Sequence, residues 1–245
     1  MRHLLRTSLA LLLAGACAAS AGAGKSDRAG RALPLIELPT QVTGHGRLLA
    51  LIISGDGGWA HLDQAVARDL VANGVAVVGL DSPKYFKTRR NPEGVTSDVT
   101  SVLRRRLETW NRSGLVLIGF STGADILPFV VNRLPADLRD QVRLVVLIGP
   151  YGTANFQYRL VDWLDAPPAP SARQSLPELR ATERYRLSTL CIHGKQEEKS
   201  LCRQLPGSFV RVVTLPGGHH FNRDFARVGR VILDALKATP GGQDF

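Results

Sequence analysis

Residues Gly119 to Asp125 read GFSTGAD, directly after the apolar run LVLI and directly before ILPFVV. An apolar run that ends here, with a helical pattern starting just behind it, puts a serine on a strand-to-helix turn. Two readings compete. One is a plain tight turn. In the other, Gly119, Ser121 and Gly123 form G-x-S-x-G, whose small flanking residues let the backbone bend sharply and leave the serine hydroxyl exposed above a sheet. The helix behind it favours developing negative charge. The strand before and the helix after are the context the second reading requires, so Ser121 is the candidate nucleophile.

Outward from that turn, apolar strands alternate with helical patterns. RLLALIIS, VAVVGLDS, GLVLIGFS, VRLVVLIGP, LSTLCIHG and VRVVTLPG read as strands. HLDQAVARDLVANG, the stretch from Asp98 to Trp110, ADILPFVVNRL and FNRDFARVGRVILDALKA read as helices. Pro128 is expected in the first turns of its helix, where a missing N–H costs least. This alternation predicts an α/β domain with a mostly parallel sheet covered by helices on both faces. Residues 151–180, with the proline-rich APPAPSA, break the rhythm and read as a small cap or insertion. In such sheets ligands bind at the carboxyl ends of the strands. The loops to inspect are therefore GDGGW, DSPKYF, GFSTGAD, GPYGT, GKQEE and PGGHHF.

The 245 residues suit one such domain over 32–245, and 44% hydrophobic residues suit a globular one. Lys and Arg exceed Asp and Glu by 31 − 21 = 10, which favours acidic partners. No nucleic-acid module and no basic repeat with interleaved aromatics is present, so an anionic membrane face is preferred to nucleic acid. The start is basic (MRHLLRT), then apolar (SLALLLAGACAA), then small (ASAGAG). That is the layout of a secretory signal peptide over 1–21, followed by a flexible lead-in over 22–31. Cys17 in AGAC leaves lipoprotein anchoring open as a second reading. After export only Cys191 and Cys202 would remain, and in an oxidising compartment two nearby cysteines pair. No cysteine or histidine set has zinc spacing, so neither a metal nor a cofactor is expected.

A serine hydroxyl needs a base. The loop after the last strand, LPGGHHF, offers His219 first and His220 second. The imidazole needs an acid to hold its tautomer. The loop HGKQEE offers Glu197 first and Glu198 second, and the order serine, acid, histidine is that of an α/β-hydrolase. Oxyanion donors are expected from the backbone N–H of Thr122 and of Asp56 or Gly57 in SGDGGW. That loop lacks a following G-K-[ST], so it does not read as a phosphate loop.

Taken together, SGDGGW, DSPKYF, GFSTGAD with LPFVVNRLP, C-x10-C around HGKQEE, and LPGGHHF resemble the bacterial virulence proteins of the VirJ/AcvB family, over roughly Leu48 to Leu236. The resemblance implies an α/β-hydrolase fold, a periplasmic location and hydrolysis of aminoacylated phosphatidylglycerol, chiefly the lysyl form. It also implies a link to virulence and type IV secretion, with secretion-system proteins as further partners. It carries the family serine onto Ser121 and the family histidine onto His219 or His220. A cationic lysyl head would call for a carboxylate, and Asp56 and Asp125 stand in suitable loops. The alternatives are a general periplasmic esterase or thioesterase acting on small substrates, and a non-catalytic secretion accessory protein.

Overall fold

The computed structural model describes residues 32–40, 47–158, 169–205 and 210–239. The expected signal peptide, lead-in and Cys17 lie outside the described residues, as do the middle of the insertion and the last residues of the tail. The strands are β1 (Leu35–Leu38), β2 (Leu48–Ile53), β3 (Ala76–Leu80), β4 (Gly114–Phe120), β5 (Val142–Ile148), β6 (Thr153–Ala154), β7 (Arg173–Gln174), β8 (Thr189–Gly194) and β9 (Arg211–Leu215). The α-helices are α1 (His61–Ala72), α2 (Ser82–Tyr85), α3 (Pro92–Thr109), α4 (Thr122–Arg133), α5 (Ala136–Arg139), α6 (Ser175–Ala181) and α7 (Phe225–Lys237).

Side-chain alternation along the strands creates two cores. On β2, Leu49, Leu51 and Ile53 join one cluster with Leu115 and Leu117 of β4 and the apolar faces of α3 and α4. Leu48, Ala50 and Ile52 join the other with Val116 and Ile118 and the faces of α1 and α7. A strand buried on both faces needs apolar residues at every position, which is why β2 and β4 are unbroken apolar runs. The sheet order is β1-β3-β2-β4-β5-β8-β9, and every neighbouring pair is parallel except β1 with β3. The mostly parallel α/β sheet is therefore as expected. Its carboxyl ends gather the loops after β2, β4, β5, β8 and β9 at one edge.

Three local expectations need correction. β1 was not expected; it is short and pairs at the sheet edge. α3 begins at Pro92, six residues before Asp98, with the Asn91 side chain accepting the Gly94 N–H at 2.7 Å. Pro at the first helical position after an Asn cap is a strong start signal. Pro128 is the seventh residue of α4, beyond the first turn, so it leaves the Ala124 carbonyl without its usual helical donor.

In the described part of the insertion, β6 and β7 pair antiparallel and α6 follows at once. Phe156 packs edge-on to Phe129 of α4, with ring centroids 5.3 Å apart. The Asn132 amide of α4 donates to the Glu178 carbonyl and carboxylate at 2.7 Å each. Among the described residues, no helix is long and apolar enough to cross a membrane.

Candidate active site

The turn after β4 is strained. Ser121 has φ 53° and ψ −122°, a positive φ that costs a non-glycine residue ~1–3 kcal/mol. Hydrogen bonds hold it there: its N–H donates to Ile148 O at 2.8 Å, and its carbonyl accepts from Ala124 N at 2.8 Å and Asp125 N at 3.1 Å. The two motif glycines are required by space. A Cβ on Gly119 would stand 2.4 Å from Gly123 O, and one on Gly123 would stand 2.1 Å from Ile53 O. Both obstacles are backbone, so neither can turn aside. β4, the turn and α4 thus pack closer than any side chain allows, and the serine is thrust forward from that contact.

The loops after β8 and β9 meet beside it. His219 Nδ1–H donates to Glu197 Oε1 at 2.5 Å, and Glu197 Oε2 accepts the Gly194 N–H at 2.5 Å. With the proton on Nδ1, Nε2 keeps its lone pair and is the basic atom. Burial pushes the Glu197 carboxyl up. The hydrogen bonds from His219 and Gly194, with the nearby charges of His219 and His193, outweigh it and leave the group below its ordinary range. Glu197 therefore stays ionised at neutral pH.

His219 and Ser121 are joined through their neighbours. The ring of Phe120, next to Ser121, stacks on the His219 ring at 5.1 Å. Gly149 follows the Ile148 carbonyl that holds Ser121; a Cβ there would stand 2.8 Å from His219 Cε1 and 3.2 Å from Glu197 Oε1. Its φ of +57° also suits glycine. Among the described residues Ser121 Oγ makes no hydrogen bond of its own. Such bonds tighten when substrate arrives.

The second-choice residues stand elsewhere. Glu198 is exposed, and its N–H donates to Gln196 O. His220 is exposed and lies edge-on to Phe120 and His219, with centroids at 6.2 Å and 5.4 Å. Partial desolvation of its ring, then the charge of His219, lower its pKa.

The loop after β2 touches the serine turn. A Cβ on Gly55 would stand 3.0 Å from Ser121 Cβ, and Thr122 Oγ donates to Asp56 Oδ2 at 2.6 Å. The Asp56 side chain thus ties this loop to Thr122, whose N–H opens α4 and by position has no helical acceptor.

Asp125, the second carboxylate expected near a cationic head, is turned into the fold. It is 2% exposed, and its carboxylate accepts Tyr151 N–H at 3.1 Å and Gly152 N–H at 2.7 Å. Burial pushes it up to about 7, against the pull of those two amides. It fastens the loop after β5.

Cys191 of β8 and Cys202 form a disulfide. This bond closes the segment that carries Glu197. Arg203 adds two ties within it, donating to Glu197 O at 2.9 Å and Lys195 O at 2.5 Å. Among the described residues no group of three or more His, Cys, Asp or Glu could hold a metal ion.

Sequence reasoning missed Phe120 and Tyr151, whose rings pack on His219; the Tyr151 centroid lies 4.9 Å away. The loop GPYGT follows a strand's carboxyl end, but nothing in its composition pairs its tyrosine with a histidine nearly seventy positions on.

The profile of a family described as "Bacterial virulence protein (VirJ)" matches residues 47–239. No curated protein matches the chain at a significant level. Among solved structures, the chain is similar to Est1E from Butyrivibrio proteoclasticus, solved with ferulic acid bound, at TM-score 0.58 and 16% identity, covering 82% of this chain and 92% of that one. XC6422 from Xanthomonas campestris, described as an a/b serine hydrolase without lid, aligns at TM-score 0.55 and 15% identity over 84% and 89%. The esterase Pf2001 from Pyrococcus furiosus aligns at TM-score 0.59 and 12% identity over 85% and 90%. At such identities the likeness establishes the α/β-hydrolase fold.

Proposed function

This chain belongs to the VirJ family of bacterial virulence proteins, and from that premise we propose that it is an exported serine hydrolase that cleaves an aminoacyl ester, that of lysyl-phosphatidylglycerol. The observation that carries the hydrolase reading is the Glu197–His219 pair set beside the strained Ser121 turn. Esterases and serine hydrolases among the structural neighbours support it. The lipid substrate rests on the family resemblance and on the excess of 31 basic over 21 acidic residues, which suits an anionic membrane face.

In this mechanism Ser121 Oγ attacks the ester carbonyl carbon while His219 Nε2 takes its proton. The amides of Thr122 and of Asp56 or Gly57 receive the oxyanion. Glu197 stabilises the imidazolium through Nδ1–H without taking the proton. As the tetrahedral intermediate collapses, the C–O bond to the glycerol breaks and His219 returns the proton to the departing oxygen. Phosphatidylglycerol leaves and lysine remains esterified to Ser121. Water, deprotonated by His219, then attacks that ester. Lysine is released and Ser121 regains its proton.

The test is release of lysine from lysyl-phosphatidylglycerol vesicles, followed by mass spectrometry, for the wild type and Ser121→Ala. Release by the wild type alone supports both parts of the proposal. No release by the folded wild type removes the lipid substrate and moves weight to another ester or to an accessory role.

A further inference from the structure

Among the described residues Tyr151 is the one exposed large apolar side chain, at 47% of its surface. Its ring lies 4.9 Å from the His219 ring, tilted by 30°, and Phe120 stacks on the same histidine at 5.1 Å. Exposure alone is unremarkable for a tyrosine on a loop. What sets this one apart is how firmly its loop is held. Gly149 N–H donates to Ile192 O at 2.8 Å, and Pro150 O accepts Leu201 N–H at 2.8 Å. The Asp125 carboxylate takes both Tyr151 N–H and Gly152 N–H, and Gly152 O accepts Ser175 N–H at 2.9 Å. A buried carboxylate is a costly anchor, and this one accepts two amides of a surface loop. The φ of +94° at Gly152 turns the chain back at once. The fold therefore fixes a half-exposed aromatic ring beside the base.

The chemistry identifies which part of a substrate that face meets. In ester cleavage the histidine must stand next to the leaving oxygen to return its proton. A ring packed on that histidine borders the alcohol portion of the ester, whereas the acyl portion extends from the carbonyl held at Thr122 and the loop after β2. We propose that Tyr151 forms the wall of a leaving-group subsite that packs on the carbon skeleton of the departing alcohol, with Asp125 as its positioning residue. This inference rests on the hydrolase reading above.

The experiment measures kcat/KM for ethyl butyrate, hexyl butyrate and ethyl octanoate by titrating released acid. Ethanol and hexanol are nearly equal as leaving groups, so the ratio hexyl butyrate to ethyl butyrate reports contact with the alcohol chain. The ratio ethyl octanoate to ethyl butyrate reports contact with the acyl chain. The wild type should prefer the hexyl ester. Tyr151→Ala should lower that alcohol ratio on the order of tenfold, the scale of a few methylene contacts, and leave the acyl ratio in place. Tyr151→Phe should keep both ratios. Asp125→Asn, which loses one acceptor oxygen, should lower the alcohol ratio while Tyr151 itself is intact. Ratios cancel any common loss from disturbing His219. A wild-type alcohol ratio near one, an unchanged alcohol ratio in Tyr151→Ala, or a change in the acyl ratio instead overturns the assignment. Absence of any hydrolysis that depends on Ser121 is a different failure: it overturns the hydrolase reading and this subsite with it.

Discussion

Gly123→Ala tests whether the serine turn depends on the close contact of α4 with β2. The added Cβ would arrive 2.1 Å from Ile53 O, 2.7 Å from Ile53 C and 2.8 Å from Ser54 O. A comfortable carbon–oxygen contact is ~3.3 Å, so the start of α4 must retreat by on the order of 1 Å. The obstacle is the end of a central strand, fixed on both sides by β3 and β4. Overpacking of this kind costs about 1–3 kcal/mol. In a chain of this length that lowers Tm by roughly 3–10 °C. The same retreat carries Ser121 and Thr122 away from the loop after β2, and a misplacement of ~1 Å can cost ~100-fold in rate. Calorimetry and kcat/KM on p-nitrophenyl acetate read the two effects. Gly57→Ala is the control for stability, because a Cβ there meets nothing within 4 Å. It should stay within ~0.5 kcal/mol of the wild type. A Gly123→Ala protein with unchanged Tm and unchanged kcat/KM would refute the packing account of the turn.

Other outcomes follow from the same geometry. Glu197→Gln should lower kcat by about 100- to 10,000-fold, and Glu198→Gln should stay within about twofold, since Glu198 is exposed away from His219; steady-state kinetics on any accepted ester separates them. Stability should decline as pH rises from ~4 to about 7. Burial holds the carboxyls of Asp63, in the first turn of α1, and of Asp125 at about 7, so the folded state keeps protons that the unfolded chain has lost. Urea melts across that window should show the decline, with a shallower slope in Asp125→Asn. Glu197 acts oppositely: its lowered pKa adds stability above ~4.3 that is lost as pH falls through the folded value. Reducing the Cys191–Cys202 bond removes a cross-link spanning 11 positions and should cost ~3 kcal/mol, read as a lower Tm in dithiothreitol that the Cys191→Ser/Cys202→Ser double variant reproduces and no longer responds to.

Much of the fold was legible because both-face burial leaves a strong trace. LLALII and LVLI have no reason to be uninterrupted unless each face meets a helix layer, and the loops that follow them are where a parallel sheet puts its chemistry. Ser121 was legible for a related reason: flanking glycines record a close contact that only Gly119 and Gly123 can make. Local signals of a weaker kind were lost. β1 has four residues and a single neighbour, too little to stand out from a lead-in. The first two turns of α3 contain Gly94, Val95 and Thr96, all poor helix formers, which mask the Asn91–Pro92 start signal.

The sequence ranks Glu197 before Glu198 and His219 before His220 by loop position, but it shows no contact that decides between them. Glu197 and Glu198 are equivalent as letters, and only the tight turn after β8 sends one inward to His219 and Gly194 and the other to solvent. Asp125 looked like a carboxylate near a helix start. Its partners are the amides of Tyr151 and Gly152, more than two dozen positions away, so its role as an anchor appears only when β4 and β5 lie side by side. The packing of Phe120 and Tyr151 on His219 likewise joins three strand ends that no local pattern connects.

The most direct measurement is to treat the folded wild type and His219→Ala with a fluorophosphonate, weigh the intact proteins, and map the adduct. A single adduct on the peptide that contains Ser121 in the wild type, greatly reduced in His219→Ala, is the predicted result. No adduct on the folded wild type, or one on another residue, would contradict the claim that Ser121 is a nucleophile activated by His219.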